Sequence, residues 1–149
     1  MTNADYEKVV SFCNKFYSKK DEAHASRVVN YVLHDPRYLL MSDPQQWLTM
    51  CVAYAHDLIE DTNIKWADID NLDITQKDEF LRNVMILTHH AKDESYMQYI
   101  ERVCAQVSII PILVKTADMA DHWMQKDTLT LARIEKYTPA IKMLLEQKR

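Results

Sequence analysis

The most informative part of the sequence is Trp47-Leu48-Thr49-Met50-Cys51-Val52-Ala53-Tyr54-Ala55-His56-Asp57-Leu58-Ile59-Glu60-Asp61-Thr62. Its first part is mainly apolar and predicts a buried helix, which we expect to continue into the polar part. Residues four apart lie on one face of a helix, so His56 is expected above Glu60, and Asp57 above Asp61. Groups that bind metals or move protons thus follow an apolar helix. A polar helix terminus is the alternative explanation.

The composition predicts one helical domain. A chain of 149 residues has the size of a single domain with its own core. The sequence contains 0 glycines, which excludes Gly-rich phosphate loops and makes hairpin turns hard to build. We therefore predict an all-α, single-domain helical bundle over residues 1–149.

Charge and hydropathy limit the partners. The net charge of −4 argues against a nucleic-acid partner, which usually requires a basic face. The sequence has no apolar run near the roughly 20 residues that span a bilayer, and its N-terminus lacks a signal-peptide pattern. We expect a cytoplasmic protein without a membrane partner. The oligomeric state is open, with a homo-oligomer as one alternative. Cys13, Cys51 and Cys104 have apolar neighbours and are expected to be buried thiols.

Apolar periodicity predicts helices over most of the chain. The segment between residues 62 and 75 is polar and turn-like, and we expect apolar side chains to pin it to the core. We expect a charged break at residues 18–22, and a bend at Pro139 in the last helix. The predicted helices are 4–17 with Asn3 as N-cap, 23–33, one opened by Ser42-Asp43-Pro44, 76–89, one begun by Asp93 or Ser95, 108–125 and 128–147; the pinning residues are Trp66, Ile69, Leu72 and Ile74.

Two distant residues can join His56 and Asp57. His24 lies early in the second helix, and Asp118 follows an apolar half-helix that must be buried. A buried carboxylate needs a partner, and a metal ion would provide one. We therefore predict one divalent cation held by His24, His56, Asp57 and Asp118. Two imidazoles and two carboxylates suit Mn²⁺, Fe²⁺, Co²⁺ or Zn²⁺ better than Ca²⁺.

This order of residues resembles the H…HD…D pattern of the HD superfamily of metal-dependent phosphohydrolases. Within that superfamily, residues 56–61 are similar to the HDxxED signature of the RelA/SpoT-type hydrolase domains and the small alarmone hydrolases. Residues 114–118, Val-Lys-Thr-Ala-Asp, resemble the VKLAD motif of the same proteins, and residues 87–103 resemble the segment ahead of it. The resemblance covers residues 12–125.

The resemblance implies an HD-domain helical bundle that binds one Mn²⁺ and hydrolyses a small phosphorylated nucleotide, foremost (p)ppGpp as a 3′-pyrophosphohydrolase. The metal would activate a water molecule, and Glu60 and Asp61 would be the catalytic residues that orient this water and move its proton. Cations would offset the phosphate charge, although surface lysines and arginines are also common without a ligand. The candidate substrate contacts are Lys19, Lys20, Arg27, Lys115, His122 and Tyr99.

Some residues depart from the alarmone hydrolases. His122 stands where we expect the asparagine that helps to hold the nucleotide, and the basic loop before His24 is shortened. Glu22-Ala23-His24 followed by Arg27-Val28 also resembles the HD nucleoside-monophosphate phosphatases. The alternatives are therefore a nucleotidase, a (d)NTP triphosphohydrolase, or a non-catalytic HD module that binds a nucleotide.

Other polar and aromatic residues have structural explanations. His34-Asp35 ends a helix before a proline, and His89-His90 ends another, where imidazoles are favoured by the helix dipole. We expect both pairs to be structural. One of Tyr96 and Tyr99 is expected in the core, and Trp123 either lines the substrate pocket or covers the last helix.

Overall fold

The computed structural model describes residues 1–147, and the regular structure in that range is helical, with no strand. This confirms the predicted all-α fold. The helices are α1 (Asn3–Cys13), α2 (Lys19–Leu33), α3 (Pro36–Leu39), α4 (Asp43–Ala55), α5 (Leu58–Asp61), α6 (Trp66–Asp70), α7 (Lys77–Leu87), α8 (Tyr96–Cys104), α9 (Ile110–Met124) and α10 (Leu131–Leu145).

Helix α4 lies at the centre and packs against α1, α2, α7 and α9. Leu48, Cys51, Val52 and Ala55 are at most 1% exposed, because neighbouring helices cover α4 on several sides. A second apolar cluster joins α8, α9 and α10. Since α9 contributes side chains to both clusters, a polar residue in its middle is buried unless it faces a cleft.

The central helix is shorter than predicted. It ends at Ala55, and His56 and Asp57 form a turn before the short helix α5. His56 Nδ1 lies 2.8 Å from the carbonyl oxygen of Ala53, and Asp57 has φ −95° and ψ 0°, which is outside the helical region. The prediction of one continuous helix was wrong. The turn places both side chains at the end of α4.

Helix α2 begins one turn earlier than predicted. Ser18 is its N-cap, and Ser18 Oγ and the Asp21 carboxylate form a capping box with the backbone N–H groups of Asp21 and Ser18. Such a box favours helix formation, so the expected charged break at residues 18–22 is wrong. Lys19 and Lys20 therefore lie on the first turn of a helix instead of on a loop.

Helices α1, α4 and α8 also begin at polar N-cap residues. Ser42 and Ser95 cap α4 and α8 as predicted, whereas Thr2, and not Asn3, caps α1. Thr2 and Asp5 form the capping box there, which leaves Asn3 as the first helical residue. The remaining predicted helix ends agree within a few residues, as is usual for fraying termini.

The segment between α5 and α7 is attached to the core by part of the predicted set. Ile69 and Leu72 are buried and Ile74 packs against the main cluster. Trp66 is 56% exposed, so its predicted pinning role is wrong. It is the first residue of the short helix α6.

The cysteines are buried, as expected. Pro139 lies inside α10, and the bend expected there stays a prediction. Within residues 1–147, the helices are too short or too polar to cross a membrane.

Candidate metal centre

The structure brings the four predicted ligands together. His24 comes from α2, His56 and Asp57 from the turn after α4, and Asp118 from the middle of α9. One ligand atom from each of these residues lies within 4.8 Å of the others. The chain folds around α4, and this packing places residues that are up to 94 positions apart in sequence at one point.

The two imidazoles present their Nε2 atoms to the same point. His56 Nδ1 lies 2.8 Å from the Ala53 carbonyl oxygen, and His24 Nδ1 lies 2.7 Å from Asp121 Oδ2. Both partners are acceptors, so each Nδ1 carries a proton and, in the neutral ring, each Nε2 carries a lone pair. The two Nε2 atoms are 3.3 Å apart. Two lone pairs this close repel each other unless a proton or a cation lies between them.

The carboxylates surround the same point. Asp118 Oδ1 lies 3.2 Å from His24 Nε2, 3.5 Å from His56 Nε2 and 3.0 Å from His122 Nε2. This oxygen is buried and has no hydrogen-bond partner among the described residues. Asp57 Oδ2 lies 3.3 Å and 3.1 Å from the two Nε2 atoms of His24 and His56. A buried acceptor without a donor is costly, and a divalent cation would satisfy it. The donor set therefore fits the predicted metal.

The carboxylates determine how the imidazoles titrate. Burial alone would lower the pKa of His24, but the nearby carboxylates of Asp118 and Asp57 raise it to about 10. Burial also opposes the charge of His56, yet Asp57 and Asp118 raise its pKa well above the usual value. Without a cation, protons thus compensate the acidic cluster. A metal ion would displace those protons, because it binds the deprotonated imidazole.

Lys115 lies behind Asp118. Its ammonium is 2.7 Å from Asp118 Oδ2 and is stacked over the rings of Tyr99 and Tyr96, at 5.1 Å and 5.8 Å from their centroids. Lys115 was predicted to contact the substrate, but its side chain is 11% exposed and does not line the cleft described below. Because Lys115 binds Oδ2 of Asp118, only Oδ1 of that carboxylate faces the cluster.

A cleft of about 400 Å³ opens beside the cluster. Its lining has five aspartates and three basic side chains, a formal charge of −2 with the histidines neutral. A divalent cation would bring this charge to zero. The lining residues are Lys20, Asp21, His24, Arg27, Asp57, Asp61, Asp121, His122, Gln125, Asp127, Thr128 and Arg133.

The two predicted catalytic carboxylates lie in different environments. Asp61 lines the cleft, and burial together with the negative charges of Asp57 and Glu60 raises its pKa to about 6. Glu60 accepts a hydrogen bond of 3.0 Å from the backbone N–H of His89 and does not line the cleft. The structure therefore brings Asp61, but not Glu60, to the cleft.

The predicted substrate contacts separate into three groups. Lys20, Arg27 and His122 line the cleft. Lys19 lies outside it, with a side chain that is 93% exposed and paired with Glu22. Tyr99 is 1% exposed and its hydroxyl donates to the Leu87 carbonyl. Its placement in the core explains why it does not reach the cleft.

The sequence interpretation missed six residues of the cleft lining, namely Asp21, Asp121, Gln125, Asp127, Thr128 and Arg133. Asp121 lies three positions after Asp118 on α9, which is the spacing of one helix face. That spacing was the available signal. Arg133 enters the cleft from the first turn of α10. Its position depends on how residues 125–130 turn back, which periodicity does not reveal.

The residues that the sequence suggested to be structural lie outside the cluster and the cleft. Asp35 caps α3 and pairs with Arg37, and His34 Nδ1 contacts the carbonyl oxygen of Asn30. His89 stacks on Tyr99. Trp123 lines an apolar groove of about 510 Å³ on another face of α9 instead of the cleft.

Comparison with models of known protein families gives no match, and no curated protein matches the chain. We therefore infer a function from the residues of the cluster and the cleft.

Proposed function

We propose that this protein is a metal-dependent phosphohydrolase that acts on a phosphorylated nucleotide. We base this proposal on the buried Oδ1 of Asp118, which has no hydrogen-bond partner among the described residues and which the Nε2 atoms of two imidazoles and a second carboxylate surround. These four residues would hold one divalent cation, expected to be Mn²⁺. A bound divalent cation lowers the pKa of water and polarises a phosphoryl oxygen.

Asp61 is the residue we propose for proton transfer. It lines the cleft, one helical turn after Asp57, and its pKa of about 6 lies close to the pH at which a general base works best. A cation at the cluster would lower this pKa and keep the carboxylate ionised. Asp61 would orient the attacking water and accept its proton.

Lys20 and Arg133 are the candidates for binding phosphate oxygens. Both line the cleft, and neither forms a salt bridge with a residue in the described part of the chain. Arg27 also lines the cleft, but Asp121 already neutralises its guanidinium. Free cations at the cleft would offset the charge of a phosphate group as it reacts.

The HDxxED resemblance favours (p)ppGpp as the substrate and 3′-pyrophosphohydrolysis as the reaction. A second candidate, a nucleoside-monophosphate phosphatase, is favoured by the charge of the cleft. With its histidines neutral, as metal binding requires, the lining carries −2 and a divalent cation only balances it, which suits a substrate with one phosphate better than one with two pyrophosphates. The hydrogen bond of Glu60 to His89, away from the cleft, also differs from what the alarmone hydrolases imply.

The products of the reaction test this proposal. We would incubate the purified protein and Mn²⁺ with ppGpp, GTP and a panel of deoxynucleoside monophosphates. Pyrophosphate and GDP indicate the alarmone hydrolase, orthophosphate a nucleotidase, and triphosphate a triphosphohydrolase. The Asp57→Ala variant should lose activity, whereas His34→Ala, which alters a histidine outside the cluster, should retain it. If no nucleotide in the panel is hydrolysed, the catalytic proposal is wrong and a binding module is favoured.

A further inference from the structure

Asp121 is a buried carboxylate with partners on another helix. Its side chain is 1% exposed, and its Oδ2 lies 2.7 Å from His24 Nδ1. Arg27 donates to both of its oxygens, from Nε at 2.7 Å and from Nη2 at 3.1 Å. One carboxylate on α9 therefore connects to two residues that lie three positions apart on α2.

The contact with Asp121 selects the tautomer of His24. An ionised carboxylate only accepts hydrogen bonds, so it requires a proton on His24 Nδ1. In the neutral ring this leaves the lone pair on Nε2, which points at Asp57 Oδ2 and Asp118 Oδ1 at 3.3 Å and 3.2 Å. The carbonyl of Ala53 does the same for His56. Thus each imidazole has its own acceptor on the side away from the cluster.

Arg27 keeps the Asp121 carboxylate ionised. A buried carboxylate without a counter-charge would be costly, and the paired donors of the guanidinium match its two oxygens. This pairing also explains why Arg27 is less suited to bind phosphate than Lys20 or Arg133.

We propose that Asp121 is a positioning residue that holds His24 in the orientation and tautomer needed to bind the cation, with Arg27 as its counter-ion. This inference rests on the proposed metal site, but it does not depend on which nucleotide is hydrolysed. Partners that orient a metal-binding histidine in this way typically change metal affinity by about 10–100-fold when they are removed.

The test is the affinity of the full chain for Mn²⁺, measured by calorimetry for the wild type and for Asp121→Asn. Asparagine replaces one carboxylate oxygen with an amide donor and removes the charge, so it cannot keep all three hydrogen bonds from His24 and Arg27. We expect Mn²⁺ to bind about 10–100-fold more weakly to Asp121→Asn. The matched control is Asp35→Asn, the same substitution in an aspartate–arginine pair, with Arg37, that lies outside the cluster and the cleft. Its affinity should stay within about twofold.

A measurement on the wild type keeps the test valid if Asp121→Asn does not fold. With Zn²⁺ as a diamagnetic probe, ¹⁵N shifts of His24 should show a protonated Nδ1 and a metal-bound Nε2. A protonated Nε2, or equal Mn²⁺ affinity of folded Asp121→Asn and wild type, would overturn the inference alone. If the wild type binds neither ion, both the inference and the metal site are wrong. If it binds the metal but hydrolyses no nucleotide, only the proposed catalytic function fails.

Discussion

The ammonium of Lys115 lies 2.7 Å from Oδ2 of Asp118, while Oδ1 of the same carboxylate faces three imidazole nitrogens at 3.0–3.5 Å. The two oxygens therefore have separate roles. Burial would lower the pKa of Lys115, but the charge of Asp118 raises it well above the usual value. The lysine stays charged and compensates the aspartate even when the cluster holds no cation.

This pairing predicts a large effect of Lys115→Met on stability. Removing one partner of a buried ion pair leaves an uncompensated charge and costs about 3–5 kcal/mol. A cation at the cluster would compensate Asp118 in part, so the loss should be smaller in Mn²⁺ than in a chelator. Urea unfolding under both conditions measures the difference. Lys19→Met, at an exposed ion pair, should change the free energy of unfolding by less than about 1 kcal/mol. If Lys115→Met loses the same free energy of unfolding in Mn²⁺ as in a chelator, the proposed position of the cation beside Asp118 would be contradicted.

Mn²⁺ should stabilise the folded protein. A ligand that binds only the native state adds about 2.7 kcal/mol at a concentration 100 times its Kd. In a domain of this size, that corresponds to a rise in Tm of about 5–10 °C. Calorimetric melting with and without Mn²⁺ tests this expectation. The shift should disappear in Asp57→Ala and persist in His34→Ala, and equal shifts in the two variants would show that the ion binds elsewhere.

Asp61→Asn should reduce kcat more than Glu60→Gln does. Loss of a general base typically lowers the rate by about 10²–10⁴-fold, whereas Glu60 is bonded to the backbone of His89 outside the cleft. We expect less than about a tenfold effect of Glu60→Gln.

The pH profile gives a second measure of Asp61. The carboxylate must be deprotonated to act as a base, so wild-type activity should increase with pH on the acid side. The midpoint should lie below about 6, because a bound cation lowers the pKa that the metal-free cluster raises. Asp61→Asn should remove this acid limb. A larger loss of kcat in Glu60→Gln would contradict the assignment and favour the residue that the family resemblance implies.

Glu94 should make stability depend on pH. Its carboxylate accepts two hydrogen bonds from Arg102, at 2.6 Å and 3.0 Å, and these lower its pKa from 4.5 to about 2 against partial burial. Because the folded pKa is depressed, the stabilisation is present above about pH 4.5 and is lost as the pH falls towards 2. We expect Glu94→Gln to cost about 1–2 kcal/mol at pH 7.

The difference between Glu94→Gln and wild type should shrink at low pH. Urea unfolding at pH 7, 4 and 3 measures it, and Glu135→Gln at an exposed site of α10 is the control. A difference that stays constant over this range would show that the loss comes from packing instead of charge.

The sequence predicted most of the fold because apolar periodicity and polar caps are local signals. It also predicted the four candidate ligands, since an aspartate after the apolar half of α9 is buried and needs a partner. It did not predict the end of α4 at Ala55, because a turn at His56 and Asp57 depends on the hydrogen bond of His56 to the Ala53 carbonyl. The apolar pattern of the chain continues beyond this turn, so periodicity does not reveal where α4 ends.

The residues around the ligands were harder to predict. Lys115 and Tyr99 were expected in the substrate pocket, but packing between α8 and α9 buries both behind Asp118. Asp121 resembles any other acidic residue near a helix end until α2 brings His24 and Arg27 to it. Such roles depend on contacts between helices, and a single sequence carries little information about them.

We propose that His24, His56, Asp57 and Asp118 hold one divalent cation. This can be decided by titrating the metal-free protein with Mn²⁺ while electron paramagnetic resonance measures the free ion. We predict one tight site per chain in the wild type and in His34→Ala, and its loss in His56→Ala and Asp57→Ala. A wild type without a tight site, or an unchanged site in folded Asp57→Ala, would contradict the claim.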